Sequence, residues 1–145
     1  MRIRAFRRGD AKGFLDLVRA LARYEKLKPP GEAEAKRLVR DIGRRIRVLV
    51  VEEEGGLIAY EIHFLTYSSF LARPTLYLED LFVLPEHRHR GIGRRLFDAL
   101  SREARRAGCG RMEWMALGWN KVARRFYEKL GARPLSEWVT YRMSL

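Results

Sequence analysis

A chain of 145 residues is long enough to bury one hydrophobic core without disulfides or metals. Its 47% hydrophobic and 33% charged residues are typical of a folded domain, and no apolar run is long enough to cross a bilayer. The formal net charge of +12 favours anionic ligands or a solvated basic surface, although the 24 arginines and 6 lysines are spread along the whole sequence. With one cysteine and no signal-peptide pattern, we expect a single cytoplasmic domain, residues 1–145, without a membrane segment.

The first half of the chain predicts a strand, two helices and a hairpin. The alternating residues RIRAF predict the strand, and Asp10 is placed to cap the helix that follows. The apolar residues of that helix recur at helical spacing: Phe14, Leu17, Val18, Leu21 and Ala22. A second helix is expected over about 32–42, and the glycine pair Gly55–Gly56 predicts a turn between two strands.

The second half predicts two more strands, two helices and a closing strand. The strand TLYLEDLFVL ends at Pro85, and a helix over about 91–107 has one apolar stripe. The segment RMEWMAL predicts a fifth strand, Asn120 caps a fourth helix that ends at Gly131, and SEWVTYRMSL predicts the last strand. The order β-α-α-β-β-β-α-β-α-β predicts an α/β fold, a mixed sheet with helices on both faces.

Two glycines, Gly91 and Gly93, stand where the strand ending at Leu84 and Pro85 passes into a helix. The first turn of a helix presents unpaired backbone N–H groups and the positive end of the helix dipole. Glycines let a large anion approach that backbone, and neighbouring arginines add positive charge. The pattern therefore predicts a site for a pyrophosphate, although its spacing is neither that of a P-loop nor that of a dinucleotide fingerprint.

The pattern Arg88-x-x-Gly91-x-Gly93 resembles the acetyl-CoA-binding loop of the GCN5-related N-acetyltransferase (GNAT) superfamily. A second segment, WNKVARRFYEKLGA, resembles the superfamily's Asn-x-x-Ala-x-x-Phe-Tyr-x-x-x-Gly-Ala pattern. The resemblance implies a mainly antiparallel mixed sheet, acetyl-CoA as cosubstrate, no metal, and direct transfer of an acetyl group to a primary amine (EC 2.3.1).

A narrower resemblance connects ALARYEKL, LYLEDLFV and RGIG with the diamine (spermidine/spermine) and thialysine N-acetyltransferase branch. It implies a small-molecule substrate such as a diamine, a polyamine or a lysine analogue, and a homodimer paired through the C-terminal region. Two features depart from this branch: Ser68 replaces an acidic residue, and the usual C-terminal extension is missing after Leu145.

The resemblance assigns Tyr127 as the catalytic acid that protonates the leaving thiolate, and Asn120 and Tyr127 as cofactor contacts. Packing in the core or capping of a helix would explain these two residues equally simply. The other cofactor-binding residues implied by the resemblance are Leu81, Phe82, Val83, Arg88, His89, Arg90, Gly91, Ile92, Gly93 and Arg94. Leu81 and Val83 are expected to act through their backbones, because the strand before the glycine turn separates from its neighbour in this fold.

Two acids, Glu79 and Asp80, follow each other in a predicted strand, so they should point to opposite faces. The incoming ammonium must lose a proton before it attacks, which a carboxylate can accept directly or through water. The resemblance favours Glu79 as base or ammonium anchor, and Tyr24 and Glu25 as further substrate contacts. An ion pair at the sheet edge and a solvated helix end are the simpler explanations.

The remaining residues support rival functions only weakly. His63, His87 and His89 lack the spacing of metal ligands, and Cys109 has no histidine partner in the sequence. Protein or peptide N-acetylation remains an alternative to a small amine. A non-catalytic nucleic-acid-binding domain rests on charge alone and is the remote alternative, so nucleic acid is not the expected partner.

Overall fold

A computed structural model describes all 145 residues and divides into two compact units, residues 1–115 and 116–145. The first unit carries a five-stranded sheet and three helices. Its strands are β1 (Arg2–Ala5), β2 (Arg47–Glu53), β3 (Gly56–Ser68), β4 (Arg73–Val83) and β5 (Arg111–Trp114). Its helices are α1 (Ala11–Tyr24), α2 (Glu32–Asp41) and α3 (Ile92–Arg106). No helix in the chain combines the length and the hydropathy that crossing a membrane requires.

The strands lie in the order β1-β2-β3-β4-β5. Neighbours are antiparallel except for β4 and β5, which are parallel and are connected through α3. This is the mixed, mainly antiparallel sheet that the resemblance implies, and the α/β prediction is confirmed.

Each face of the sheet is covered by helices, because apolar residues alternate along the central strands. On one face Val50 and Tyr60 pack against Phe14 and Leu17 of α1. On the other face Val51, Ile58 and Ala59 pack against α3. The predicted stripe of α3 is buried throughout: Ile92, Leu96, Leu100 and Ala104. Helical periodicity in the sequence therefore placed α3 correctly.

Two local predictions differ from the structure. Asp10 does not cap α1 through its side chain; its carboxylate accepts hydrogen bonds from the Arg7 backbone (2.7 Å) and from the Arg4 guanidinium (2.7 and 2.9 Å). The β2–β3 turn is formed by Glu54 and Gly55, both with positive φ (51° and 79°), while Gly56 already belongs to β3. A two-residue hairpin turn of this twist needs positive φ at both positions.

A β-bulge interrupts β4 at Glu79. Ile62 of β3 lies opposite Asp80, but the next residue, His63, lies opposite Leu78, so Glu79 is the extra residue on β4. A bulge breaks the strict alternation of side chains and redirects the residues next to it. The argument that Glu79 and Asp80 must point to opposite faces therefore does not apply here.

The second unit contains α4 (Lys121–Lys129) and the C-terminal segment. Asn120 caps α4 as predicted, accepting a hydrogen bond of 3.2 Å from the backbone of Ala123. Gly131 follows the helix with φ of 89°, as a C-terminal capping glycine does. The predicted closing strand is absent: residues 133–145 form no strand, and Tyr141 is 90% exposed. An alternating pattern forms a strand only where a neighbouring strand pairs with its backbone.

Candidate active site

The open side of β4 lies beyond its short pairing with β5. β5 pairs only with residues Thr75–Leu78, so β4 continues from Glu79 to Val83 without a neighbour on that side. On the other side Leu84 donates a hydrogen bond to Ile58 of β3 (3.0 Å). Because backbone groups alternate in direction along a strand, those of Leu81 and Val83 point to the open side. These are the two backbone positions that the resemblance assigns to the cofactor's amides.

The turn between β4 and α3 provides a second feature for the cofactor. Gly91 has φ of 75° and precedes α3, with no side chain capping the helix. A Cβ at Gly91 would meet no atom within 4 Å, so glycine is needed there for its backbone angle. The first N–H groups of a helix have no acceptor within the helix. An extended arm of amides along β4 and a pyrophosphate at the start of α3 fit these residues.

The three predicted arginines of this loop all have partners within the chain. Arg88 donates from Nε to the Val83 carbonyl (3.0 Å), and its guanidinium lies 4.7 Å from the ring centroid of Tyr24. Arg90 forms two hydrogen bonds with Glu53, of 2.8 and 2.9 Å. Arg94 pairs with Asp98 one turn along α3 (3.0 Å). These partners indicate that Arg88 and Arg90 also shape the loop.

The remaining predicted cofactor residues of this unit differ in whether their side chains or only their backbones can reach a ligand. The side chains of Phe82 and Ile92 are buried in the two cores, so only their backbones can reach a ligand. His89 is exposed and has φ of 60°, an unusual backbone angle for a residue with a side chain. Gly93 lies in the first turn of α3 and is partly buried.

Three acidic residues come together near the bulge. Tyr60, fully buried, donates a hydrogen bond of 3.0 Å from its hydroxyl to Asp80. The pKa of Asp80 is raised to about 6, chiefly by burial and to a lesser degree by the charges of Glu79 and Glu25, while the Tyr60 hydrogen bond opposes the shift. Burial also raises the pKa of Glu25, which ends α1. The site thus concentrates negative charge in a chain of net charge +12.

Two neighbouring residues of β4, Glu79 and Asp80, are candidates for the general base, and the resemblance favours Glu79. Glu79 is exposed, whereas Asp80 is partly buried and hydrogen-bonded, with a pKa near the pH at which a general base works best. Sequence reasoning passed over Asp80 because the bulge and the contact with Tyr60 depend on the register of β3 against β4. Tyr24 and Glu25 end α1 as predicted, and the contact between Tyr24 and Arg88 was not foreseen.

In the second unit, Asn120 and Tyr127 lie at the start and in the last turn of α4. Asn120 is buried, with its side-chain oxygen engaged as the helix cap. Tyr127 is partly buried, and its ring centroid lies 5.4 Å from that of Phe126. The two residues occupy the positions that the GNAT pattern gives them on one helix.

Comparisons with known proteins agree with this architecture. The model of the acetyltransferase (GNAT) family matches residues 14–132. A thialysine N-epsilon-acetyltransferase from Sus scrofa is 32% identical over 97% of this chain and 90% of its own length. An L-ornithine N5-acetyltransferase from Arabidopsis thaliana is 38% identical over 59% of this chain, a match that takes in 37% of that protein.

A solved structure shares the fold at lower identity. It is an aminoglycoside N-acetyltransferase in complex with CoA, with a TM-score of 0.77 and 20% identity, and the match covers 99% of this chain and 100% of that one. The family model spans most of the sequence, and the thialysine enzyme matches nearly its full length. The chain therefore belongs to the GNAT family of acetyltransferases.

Proposed function

We propose that the protein transfers the acetyl group of acetyl-CoA directly to a primary amine of a small molecule, a diamine, a polyamine or a lysine analogue. The observation that carries the substrate class is the convergence of Glu25, Glu79 and Asp80 beside the open side of β4. Three carboxylates attract a substrate with more than one ammonium group. The relatives named for thialysine and ornithine, both amino acids with a side-chain amine, support the same class.

Asp80 is the proposed general base, with Glu79 and Glu25 as anchors for the substrate's positive charge. Asp80 has a pKa of about 6, so its carboxylate is mostly ionised at pH 7 and accepts a proton from the substrate ammonium. The Tyr60 hydroxyl holds that carboxylate in place. The alternative, which the resemblance favours, is that Glu79 is the base. Substituting Glu79 and Asp80 one at a time distinguishes the two assignments.

Acetyl-CoA supplies a thioester whose carbonyl carbon accepts the amine. The chain's residues manage the protons and the charge: Asp80 removes a proton from the ammonium, and the Tyr127 hydroxyl donates a proton to the departing sulfur. The assignment of Tyr127, and of Asn120 as a cofactor contact, rests on the GNAT pattern. Backbone groups of Leu81 and Val83 and the start of α3 hold the cofactor.

Direct transfer is also supported by the position of the one cysteine. Cys109 follows the C-terminal end of α3, about 22 Å along the helix from its start at a rise of 1.5 Å per residue. Burial raises the pKa of its thiol, which disfavours the reactive thiolate. An acetyl-cysteine intermediate near Gly91 is therefore not part of the proposal.

The decisive experiment measures CoA thiol release from acetyl-CoA with a panel of acceptors: spermidine, putrescine, thialysine, ornithine, lysine and a lysine peptide. We expect turnover with at least one small amine and little with the peptide. Tyr127→Phe should lower kcat by about 100-fold or more with little change in acetyl-CoA affinity. Tyr67→Phe, which alters an exposed tyrosine of the β3–β4 hairpin, is the matched control.

Two outcomes would contradict the proposal. Turnover confined to the peptide would assign the enzyme to protein acetylation instead. Unchanged turnover in Tyr127→Phe, with the control also unchanged, would remove Tyr127 as the proton donor.

We also propose a homodimer formed through the C-terminal segment. Six large apolar side chains of this segment are exposed: Leu135, Trp138, Val139, Tyr141, Met143 and Leu145. Sedimentation equilibrium should give a dimer for the wild-type protein and a monomer for Val139→Asp/Tyr141→Asp. Leu65→Asp, which changes an exposed leucine in the first unit, should remain dimeric. A monomeric wild-type protein at micromolar concentration would contradict the proposal.

A further inference from the structure

A basic groove runs along the α3 face of the first unit. Its larger part is a cavity of about 940 Å3 lined by α3, the edge strand β1 and its neighbour β2. Five exposed arginines line it: Arg2 and Arg47 from the strands, and Arg95, Arg102 and Arg106 from the helix. Positive side chains thus stand on both walls.

The groove continues beyond this cavity. A neighbouring cavity of about 490 Å3 shares Arg47, Glu103 and Arg106 with the first and adds Arg44 and Arg45 from the turn before β2. Arg102 and Arg106 follow Arg95 by seven and eleven residues, which is close to two and three helical turns. The three arginines therefore lie along one side of α3 over about 16 Å. A continuous line of cations of this kind matches an extended anion better than a compact one.

The acidic residues of the groove are already neutralised by other partners. Asp98 pairs with Arg94 (3.0 Å), and Glu103 pairs with the buried His63 (3.2 Å). The remaining arginine of the larger cavity, Arg4, pairs with Asp10 and Glu52. None of the seven exposed arginines forms an ion pair within the chain. Their charge is therefore available to an external anion.

The kind of cation in the groove limits which anions it can bind. All seven are arginines, whose planar guanidinium binds phosphate through two parallel hydrogen bonds. The larger cavity has no aromatic side chain on which a base could stack, and in the smaller one Phe64 is partly buried and lies against the Tyr77 ring, with centroids 5.2 Å apart. Contacts would therefore go to phosphates and carry no sequence information. Cations on two facing walls suit one strand between them, whereas a duplex needs a broad basic face.

We propose that this arginine groove binds the phosphate backbone of a single-stranded nucleic acid without sequence preference. The groove lies on the α3 face of the sheet, whereas Tyr60 and Phe82, beside Asp80, belong to the core on the α1 face. A strand in the groove therefore leaves the acidic site accessible. The interpretation is independent of which amine the enzyme acetylates.

The test measures fluorescence anisotropy of a labelled 15-nucleotide oligo(U) RNA at 50 to 300 mM salt. Seven phosphate contacts on a single strand predict that log K falls with log salt with a slope of about −5. Arg47→Gln/Arg102→Gln/Arg106→Gln should reduce the slope by about 2 units and weaken binding by more than about tenfold at low salt.

The matched control removes the same number of charges outside the groove. Arg8→Gln/Arg73→Gln/Arg105→Gln changes three exposed arginines that line neither cavity, and it should bind RNA almost as the wild type does. Thermal melting and amine acetylation should be unchanged in both triple variants, which verifies their folding. Equal losses in the two triples would show that net charge, not the groove, attracts the RNA.

Three further probes distinguish the source of the anion. A DNA duplex of equal phosphate count should bind more weakly than the single strand. Poly-glutamate, which offers carboxylates in place of phosphates, should compete poorly with the RNA, whereas inorganic polyphosphate should compete but bind no tighter than the RNA. Tighter binding of the duplex, of polyphosphate or of poly-glutamate, lost in the groove triple, would assign the groove to that ligand and overturn the single-strand proposal.

Discussion

The hydroxyl of Tyr60 on β3 donates a hydrogen bond of 3.0 Å to the Asp80 carboxylate at the bulge of β4. The tyrosine is fully buried between Phe14 and Phe82, so its ring is held firmly by both neighbours. Burial raises the pKa of Asp80 to about 6, while the bond from Tyr60 favours the ionised form. The pair therefore provides a fixed carboxylate whose ionisation falls near neutral pH.

Tyr60→Phe should move the acid side of the pH profile of kcat/KM to higher pH. The acid side is expected near pH 6, where Asp80 ionises. A hydrogen bond to a charged group is worth about 1.5 kcal/mol, so its loss should shift this side by about one pH unit. Asp80→Asn should remove the acid side and lower kcat by about 100-fold. Steady-state kinetics between pH 5 and pH 9 measure both effects.

Glu79→Gln and Tyr67→Phe are the companion variants for this experiment. Tyr67 is exposed on β3, the strand that also contains Tyr60. It lies opposite Pro74 and not beside the bulge at Glu79, so its variant should keep the wild-type profile. If Glu79→Gln, not Asp80→Asn, removes the acid side, Glu79 is the base and Asp80 supports the structure.

Gly91→Ala should destabilise the protein by about 1 to 2 kcal/mol, the cost of a left-handed backbone for a residue with a Cβ. The space around Gly91 is open, so no steric clash adds to that cost. Gly91→Asn should cost less, because asparagine tolerates this backbone angle. Urea unfolding measures the free energy, and acetyl-CoA titration should detect weaker binding in Gly91→Ala.

Gly9→Ala is the matched control for this substitution. Gly9 also has open space around an added Cβ, but its φ is not positive. A loss of stability equal to that of Gly91→Ala would mean that the backbone angle at Gly91 is not what requires glycine.

Local patterns in the sequence account for most of the elements. The apolar stripe of α3 predicted that helix, and Asn120 and Gly131 marked the ends of α4. The closing strand failed because alternation describes the side chains and does not provide a pairing partner. A strand requires a ladder of backbone hydrogen bonds to a neighbouring strand, and residues 133–145 form no strand.

The site depended more on contacts between distant parts of the chain. The glycine turn could be predicted from its residues alone, whereas the open backbone of Leu81 and Val83 followed from the family pattern. The bulge at Glu79 depends on how β3 aligns with β4, for which the sequence contains no local mark. The arginine groove gathers residues as far apart as Arg2 and Arg106. In the sequence the same arginines look evenly dispersed.

Glu53→Gln and Arg90→Gln should weaken acetyl-CoA binding by similar factors. Arg90 forms two hydrogen bonds with Glu53 at the end of β2, and these bonds, together with the arginine's charge, lower the pKa of that carboxyl group. If the pair acts by holding the loop before α3, removing either partner has the same consequence. Isothermal titration of acetyl-CoA measures the two dissociation constants.

A direct role of Arg90 in binding phosphate gives a different result. Arg90→Gln would then weaken binding, whereas Glu53→Gln would release Arg90 and leave binding unchanged or stronger. Arg105→Gln, which removes an exposed arginine near the end of α3, controls for the loss of one positive charge.

His63 should make the protein less stable as pH rises above its ordinary pKa of 6.5. The buried imidazole lies 3.0 Å from Glu61 and 3.2 Å from Glu103. Burial lowers the pKa of His63, but the hydrogen bonds and charges of the two carboxylates outweigh burial and raise it. The folded protein thus keeps a proton that the unfolded chain releases. The stabilisation is complete below pH 6.5 and is lost as pH rises through the folded pKa.

Urea unfolding between pH 6 and pH 9 should therefore give a free energy of unfolding that decreases with pH. The double variant Glu61→Gln/His63→Gln should flatten this dependence, because removal of His63 alone would raise the pKa of Glu61 further. His63→Gln should also be less stable at pH 6, by about 2 kcal/mol, because Glu61 stays buried without its cation. Burial raises the pKa of Glu61, whose contribution has the same sign but begins at lower pH. His89→Gln, which changes an exposed histidine, should retain the wild-type slope. A slope that persists in Glu61→Gln/His63→Gln would assign the titration to a group outside the pair and leave the Glu61–His63–Glu103 cluster a purely structural network.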